Sequence, residues 1–405
     1  MKKQIIGMAA LGLMIAAPAL ADEPVMSKFK LSIGGFVKLD YVYNSDKIGA
    51  LSPASGAVPK STEANGQKNE SLFTARQSRI WLKSTGPEVF GAKTGALIEG
   101  DFYGDLAAAN ESPQFRMRHA YATMDWANTQ VLFGQYWDTF GPMAANTIDF
   151  RLGAPFGAPA SPRVPQLRVS QTYNDLKLVV ALQNPTQDQV STAAGNNYEW
   201  GSMVNVAGQV SYASQALGVA PGFMGLSNKP LSFTLFSLYG SGKLNAGTAN
   251  LTLPSWGYGI QGFVPILKSS DGKSRANTAS LEFEASMASN MPFNSATAPQ
   301  LMSVSNRAAA KGYNFTAELK AYPTQDLGVT VGYGRRGVSN AANYNLATDQ
   351  QFSYQVYGNL QYDLNAAIRV CAEYQYMRTG YISTTPGSVD FGQDHTLRAA
   401  AYYFF

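Results

Sequence analysis

The sequence predicts an all-β fold, a transmembrane antiparallel β-barrel of about 16 strands with an inward-folded constriction loop. Three observations predict it. Segments in which apolar and polar residues alternate at period two recur along the chain, the links between them alternate short with long, and the chain stops on a strand rich in aromatics, "HTLRAAAYYFF". Composition agrees, with 22 Tyr, 21 Phe and 38 Gly beside only 14% charged residues.

Residues 1–21, "MKKQIIGMAALGLMIAAPALA", have the parts of a secretory signal: Lys2 and Lys3, an apolar run from Ile5, and Ala19-Leu20-Ala21 as a small-x-small cleavage site. The expected division is a signal peptide over 1–21 and a barrel domain over 22–405. The apolar run is shorter than the roughly 18 residues a spanning helix needs. Cleavage removes two lysines and no acids, so the formal charge falls from +4 to +2, too small to imply a nucleic-acid partner. Cys371 is the single cysteine, so no intramolecular disulfide exists; sharing a face with Arg369 and Glu373, it reads as an inert thiol.

The first strand opens the barrel domain. In "FKLSIGGFVKLDYVY", Phe29, Leu31, Ile33, Val37, Leu39, Tyr41 and Tyr43 share one face and Lys30, Ser32, Lys38 and Asp40 the other, with Phe36 as the misfit. The same pattern recurs at 72–84, 93–104, 115–125, 129–136, 163–173, 175–183, 203–212, 231–239, 255–264, 278–288, 313–322, 327–336, 352–363, 366–378 and 394–405. In the last of these, Leu397, Ala399, Ala401, Tyr403 and Phe405 face one way. Tyr402 and Phe404 break the alternation, as expected of an aromatic girdle at the membrane interface.

Short links at 126–128, 173–176, 322–327 and 363–366 interleave with long polar ones at 44–71, 137–162, 184–202, 289–312, 337–351 and 379–393. Links 213–230 and 265–277 should be tight but are long, so either those turns are elaborated or the register slips there. An even strand count lets the first and last strands pair and leaves no open edge.

Five stretches, "GGFVKLDYVY", "FTARQSRIWLKS", "ALIEGDFYG", "FRMRHAYATM" and "VLFGQYW", resemble the DcaP-like family of trimeric outer-membrane porins. The resemblance is specific over about 33–173 and architectural beyond. It implies a homotrimeric 16-stranded barrel in the outer membrane of a Gram-negative bacterium, passing small, often negatively charged solutes such as dicarboxylates. Members can carry a coiled coil before the barrel; here only about seven residues separate the expected cleavage site from Phe29, which removes that route to trimerisation. The terminal Phe405 is similar to the C-terminal signal by which barrels are recognised for assembly, which makes the barrel assembly machinery and outer-membrane lipids expected partners.

A barrel of this size leaves an aqueous channel, so what narrows it and which charges line it decide its properties. The segment from Trp137 to Arg163, rich in Ala, Gly and Pro and poor in charge, is the expected constriction loop, and it contributes Asp149 and Arg151. On polar parity, Arg79 and Lys83 lie in the second strand, Arg116 and Arg118 in the fourth, and Arg163 and Arg168 in the sixth. Glu99 and Asp101 in the third either pair with these cations or oppose them. Guanidinium forks suit carboxylates, so the expected function is passive diffusion of small hydrophilic, preferentially anionic solutes. The rival reading of the arginines is structural pairing with neighbouring carboxylates. Arg76 is off this parity and fits a bulge or a subunit contact.

Enzymatic constellations are not found. His119 falls on the outer parity, His395 opens the last strand, and neither metal nor cofactor is implied. "GYGIQG" at 257–262 has the spacing of a dinucleotide fingerprint but no helix after it, so small residues along a barrel strand explain it better. A second functional class is a barrel acting as sheath or scaffold for a periplasmic or electron-transfer partner. An inward loop would leave that partner no room.

Overall fold

Alternation at period two gives each strand one apolar and one polar face, and closing the sheet sends the first outside and the second inside. The computed structural model describes residues 29–48, 58–104, 113–149, 163–184, 203–246, 249–291, 302–303, 308–309, 311–339, 350–381 and 390–405. The expected signal peptide and Arg151 lie outside the described residues.

The strands are β1 (Lys30–Asn44), β2 (Glu70–Thr74), β3 (Arg79–Val89), β4 (Ala92–Asp101), β5 (Arg116–Asp125), β6 (Thr129–Trp137), β7 (Arg163–Tyr173), β8 (Leu176–Gln183), β9 (Asn205–Pro221) and β10 (Asn228–Ala246). They continue as β11 (Ala249–Leu267), β12 (Thr278–Ser289), β13 (Met302–Ser303), β14 (Ala308–Ala309), β15 (Lys311–Tyr322), β16 (Leu327–Val338), β17 (Gln350–Asp363), β18 (Ile368–Tyr381) and β19 (Phe391–Phe404). All but the β13–β14 hairpin belong to one 17-stranded antiparallel sheet. β2 and β3 pair with the two halves of β1 and so make one stave in two pieces, leaving sixteen staves. Arg76 sits in the break between those pieces, as its parity predicts. β19 pairs with β1 from Phe36 opposite Phe404 to Asn44 opposite Thr396, and the barrel closes. Phe405 extends the seam, exchanging backbone hydrogen bonds of 3.1 and 3.2 Å with Gly35 while its side chain stays exposed.

The outward set is apolar. Leu31, Ile33, Val37 and Leu39 on β1, Val331 on β16, Leu360 on β17 and Leu397 on β19 are all exposed, a band suited to hydrocarbon and not to water. In lipid a closed sheet satisfies every backbone N–H and C=O internally. Links at 90–91, 126–128, 174–175, 222–227, 268–277, 323–326 and 364–367 lie at one end of the barrel, with longer connections mostly at the other.

Two sequence expectations change. Tyr402 and Phe404 do not join an interface girdle, and Phe36, the misfit of β1, lies with them. They meet inside the barrel, with Phe36 5.8 Å from Tyr402 and 5.9 Å from Phe404, and Tyr402 stacked on Phe404 at 5.6 Å. The three misfits of the first and last strands are therefore one cluster. Ile148, Met224 and Phe223 supply its apolar cover, so these rings need not face lipid. At the long links the strands run on: β9 and β10 extend to the turn at 222–227, and β11 and β12 flank 268–277. The turns are elaborated, and the only local shift in the β9–β10 pairing falls at Pro230/Leu231.

Candidate functional site

Residues 138–149, which follow β6, have no regular structure, so their backbone groups need partners from elsewhere. Residues 138–149 find them on inward-facing side chains of the wall. The N–H of Met143 donates to Glu284 on β12 (2.9 Å), that of Asn146 to Glu318 on β15 (2.8 Å), and that of Ile148 to Glu373 on β18 (2.8 Å). Carboxyl groups suit this task because each offers two acceptor oxygens on a side chain long enough to reach the loop backbone. Asn146 is the hub. Its side chain donates to Thr330 on β16 (2.5 Å) and accepts from the N–H of Met224 (2.7 Å), and its carbonyl accepts from Asn359 on β17 (2.5 Å). At the far end, Lys38 of β1 donates to the Ile148 carbonyl (2.7 Å).

At the near end Phe140 enters an apolar cluster with Ala207, Phe236, Leu238, Ala288 and Met291, its ring 5.0 Å from that of Phe236 and nearly perpendicular. Gly257 makes this approach possible: a Cβ there would lie 2.6 Å from the Phe140 ring. The glycines of "GYGIQG" thus serve close packing within a strand.

The turn at 222–227 meets the segment from the opposite end of the barrel. Met224 adopts a left-handed backbone (φ 49°, ψ 23°), a conformation costly for a side-chain-bearing residue. Two bonds hold it there, its N–H to Asn146 and its carbonyl accepting from Arg369 (3.0 Å).

Across the lumen stand the arginines. Arg116 grips Asp101 with two bonds (2.9 and 2.7 Å), and Arg118 bridges Asp101 (2.9 Å) and Glu99 (2.6 Å). Arg79 lies 3.6 Å from Glu99. Pairing is therefore real, yet three guanidinium groups share two carboxylates. Arg163 stands over the Trp137 ring (4.8 Å) and Arg168 over Tyr136 (5.0 Å), and Arg168 also donates to the Trp137 carbonyl (2.5 Å). Among the described residues neither has a carboxylate at ion-pair distance. Lys83 has inward parity but sits four residues nearer the turn end than Arg79, away from this group. Asp149 is tied down by Gln77 (2.7 Å) and Arg398 (3.4 Å).

Between the two walls is a cavity of about 490 Å³. Arg79, Arg118, Arg168 and Arg369 line it together with Asp138, Asp149 and the rings of Phe36, Tyr136, Trp137, Phe223, Tyr402 and Phe404. Here one expectation is overturned. Glu99 pairs with His119 and Gly100 with Met117, so Arg118 is an extra residue in β5. That bulge reverses the parity beyond it and turns His119 and Tyr121 inward. His119 packs at 5.3 Å from both Tyr136 and Trp137, and Tyr121 lies 4.7 Å from Tyr136.

Sequence reasoning found the cations but missed the three glutamates, Asn146 and the Met224 turn. Polar parity already marked Glu318 as inward; nothing in the pattern told which loop main chain it would meet.

Sixteen closed staves with residues 138–149 laid along the inner wall define a porin-type barrel. No family model and no curated protein matches the sequence. Among solved structures the chain is similar to the outer membrane channel DcaP of Acinetobacter baumannii, with a TM-score of 0.70 and 18% identity over 94% of this chain and 98% of that one. It is also similar to Salmonella typhi OmpF in complex with daunomycin (TM-score 0.56, 13% identity, 95% of this chain and 100% of that one). A third is the anion-selective porin from Comamonas acidovorans (TM-score 0.54, 11% identity, 93% and 100%). The DcaP-like resemblance holds at the level of the fold.

Proposed function

We propose that this chain is an outer-membrane porin through which small hydrophilic solutes diffuse passively, with a preference for anions. The observation that carries the preference is the excess of guanidinium groups at and beside the cavity: Arg79, Arg116, Arg118, Arg163 and Arg168 stand against Glu99, Asp101 and Asp138, while Arg369 and Asp149 balance each other in sign across from them. Each cation without a carboxylate favours an anion nearby by about 1 kcal/mol in water at contact distance, roughly five-fold in occupancy. Two structurally similar proteins are, by name, an outer membrane channel and an anion-selective porin, which supports the reading.

Planar-bilayer recording across a potassium chloride gradient tests it. The expected reversal potential has the sign of anion preference, and R163Q/R168Q is expected to lower the anion-to-cation permeability ratio by at least ~5-fold on the same estimate. Cation preference in the unaltered protein would refute the reading, and no conductance at all would return the sheath hypothesis. The contacts of 138–149 along the wall argue against a protein guest.

Export by cleavage after Ala21, a homotrimeric assembly and recognition of Phe405 by the assembly machinery complete the proposal. Phe405 ends the closing stave with its side chain turned outward, where a recognising protein can reach it. Deleting Phe405 is expected to lower the heat-modifiable, membrane-inserted fraction of expressed protein on gels. An unchanged fraction would remove that residue from the assembly signal.

A further inference from the structure

On the outer surface, two arginines stand where apolar residues are the rule. Arg335 on β16 and Arg378 on β18 have the parity of outward, exposed Val331 and Tyr374. They stand at one height: Arg335 pairs with Tyr354 of β17, and Tyr354 pairs with Arg378. Two strand steps separate them, about 10 Å between their backbones.

Both are held and neither is neutralised. Arg335 Nε donates to the Tyr313 hydroxyl (3.2 Å) and its guanidinium lies 4.9 Å over the Phe352 ring. Arg378 lies 4.1 Å over Phe391, and among the described residues its buried Nε has no hydrogen-bond partner. Among the described residues neither has a carboxylate within ion-pair distance. A belt of rings surrounds them, Tyr333, Tyr354 and Tyr376 in succession at 6.3 and 6.1 Å.

Depth explains why such residues are tolerated. Arginine on the lipid face costs roughly 2–4 kcal/mol at mid-bilayer but only about 0–1 near the interface. Each of these is three residues from the end of its strand, Val338 or Tyr381, at the end of the barrel that carries the long connections. In a barrel of the proposed kind that end is the outer leaflet, whose lipid headgroups carry phosphate. A guanidinium presents a fork matched to phosphate oxygens.

We propose that Arg335 and Arg378, with Tyr354 between them, bind the phosphate of an outer-leaflet glycolipid headgroup. The site rests on the outer-membrane reading of the barrel. Purified protein in detergent is titrated with a bisphosphorylated diglucosamine lipid, and with the same lipid after phosphatase treatment, and bound lipid is counted by native mass spectrometry. The unaltered protein is expected to bind the phosphorylated lipid at least ten-fold more tightly than the treated one. R335Q/R378Q is expected to lose that difference while keeping its single-channel conductance. R335K/R378K, which keeps both charges, is expected to retain most of it. Equal binding of the two lipids by the unaltered protein, equal affinity in the glutamine variant, or full displacement by millimolar inorganic phosphate would overturn the site. Failure of the porin reading would show separately, as absent conductance in the unaltered protein.

Discussion

Asn146→Ala is expected to raise single-channel conductance and to make the current noisy, with frequent transitions to a larger open level. The side chain of Asn146 serves Thr330 through its amide N–H and Met224 through its carbonyl oxygen. Truncation leaves both of those buried groups without a partner, at about 1–3 kcal/mol each. The backbone bonds of residue 146 to Glu318 and Asn359 remain, so the segment is loosened and not lost. Because 1.4 kcal/mol is a factor of ten in an equilibrium, the detached population rises by at least roughly ten-fold. The Met224 turn, which holds a strained backbone against this same side chain, should be released with it. Bilayer recording reads the effect directly. A variant that folds, as judged by heat-modifiable mobility, yet conducts at one unchanged level would show that Asn146 does not hold the segment in place.

The strands were legible because lipid outside and water inside impose alternation along most of each stave. Where alternation failed, the failure was informative: Phe36, Tyr402 and Phe404 mark the place inside the barrel where Ile148 and Met224 bring apolar surface. Strand ends were less legible. β10 and β11 run to 19 residues each, beyond the stretches with clear alternation, because their hairpin continues from Ala246 to Ala249. The bulge at Arg118 leaves no trace in composition, since one inserted residue alters parity without altering residue type, and so simple alternation puts His119 on the wrong face. The cationic wall could be read residue by residue. The wall opposite could not, because Glu284, Glu318 and Glu373 bind main chain, and a main-chain partner has no sequence pattern.

Lys320→Met is expected to be the most destabilising single change in the barrel. The Lys320 ammonium, fully buried, bonds both Glu282 and Glu318, the latter at 3.1 Å. Glu282 has further donors in Gln261 (2.9 Å) and Lys229 (3.4 Å), whereas Glu318 has the Tyr357 hydroxyl (2.7 Å) and the N–H of Asn146. Removing the cation leaves two neighbouring buried carboxylates with only the part-exposed Lys229 ammonium, on Glu282, to offset them and none on Glu318, and breaking a buried ion pair this way costs about 3–5 kcal/mol. The loss should appear as a lower urea midpoint for unfolding from detergent or bilayers, with the slope unchanged. It should also reach the lumen, since Glu318 is the middle anchor of residues 138–149. Adding Glu282→Gln to the variant removes one of the stranded charges and is expected to restore part of the midpoint. Were the single variant as stable as the parent, the Lys320 cluster would be a passive feature of the wall. Were it destabilised but not improved by Glu282→Gln, lost packing of the lysine stem against Phe263, 5.3 Å from its ammonium, would explain the effect better than charge.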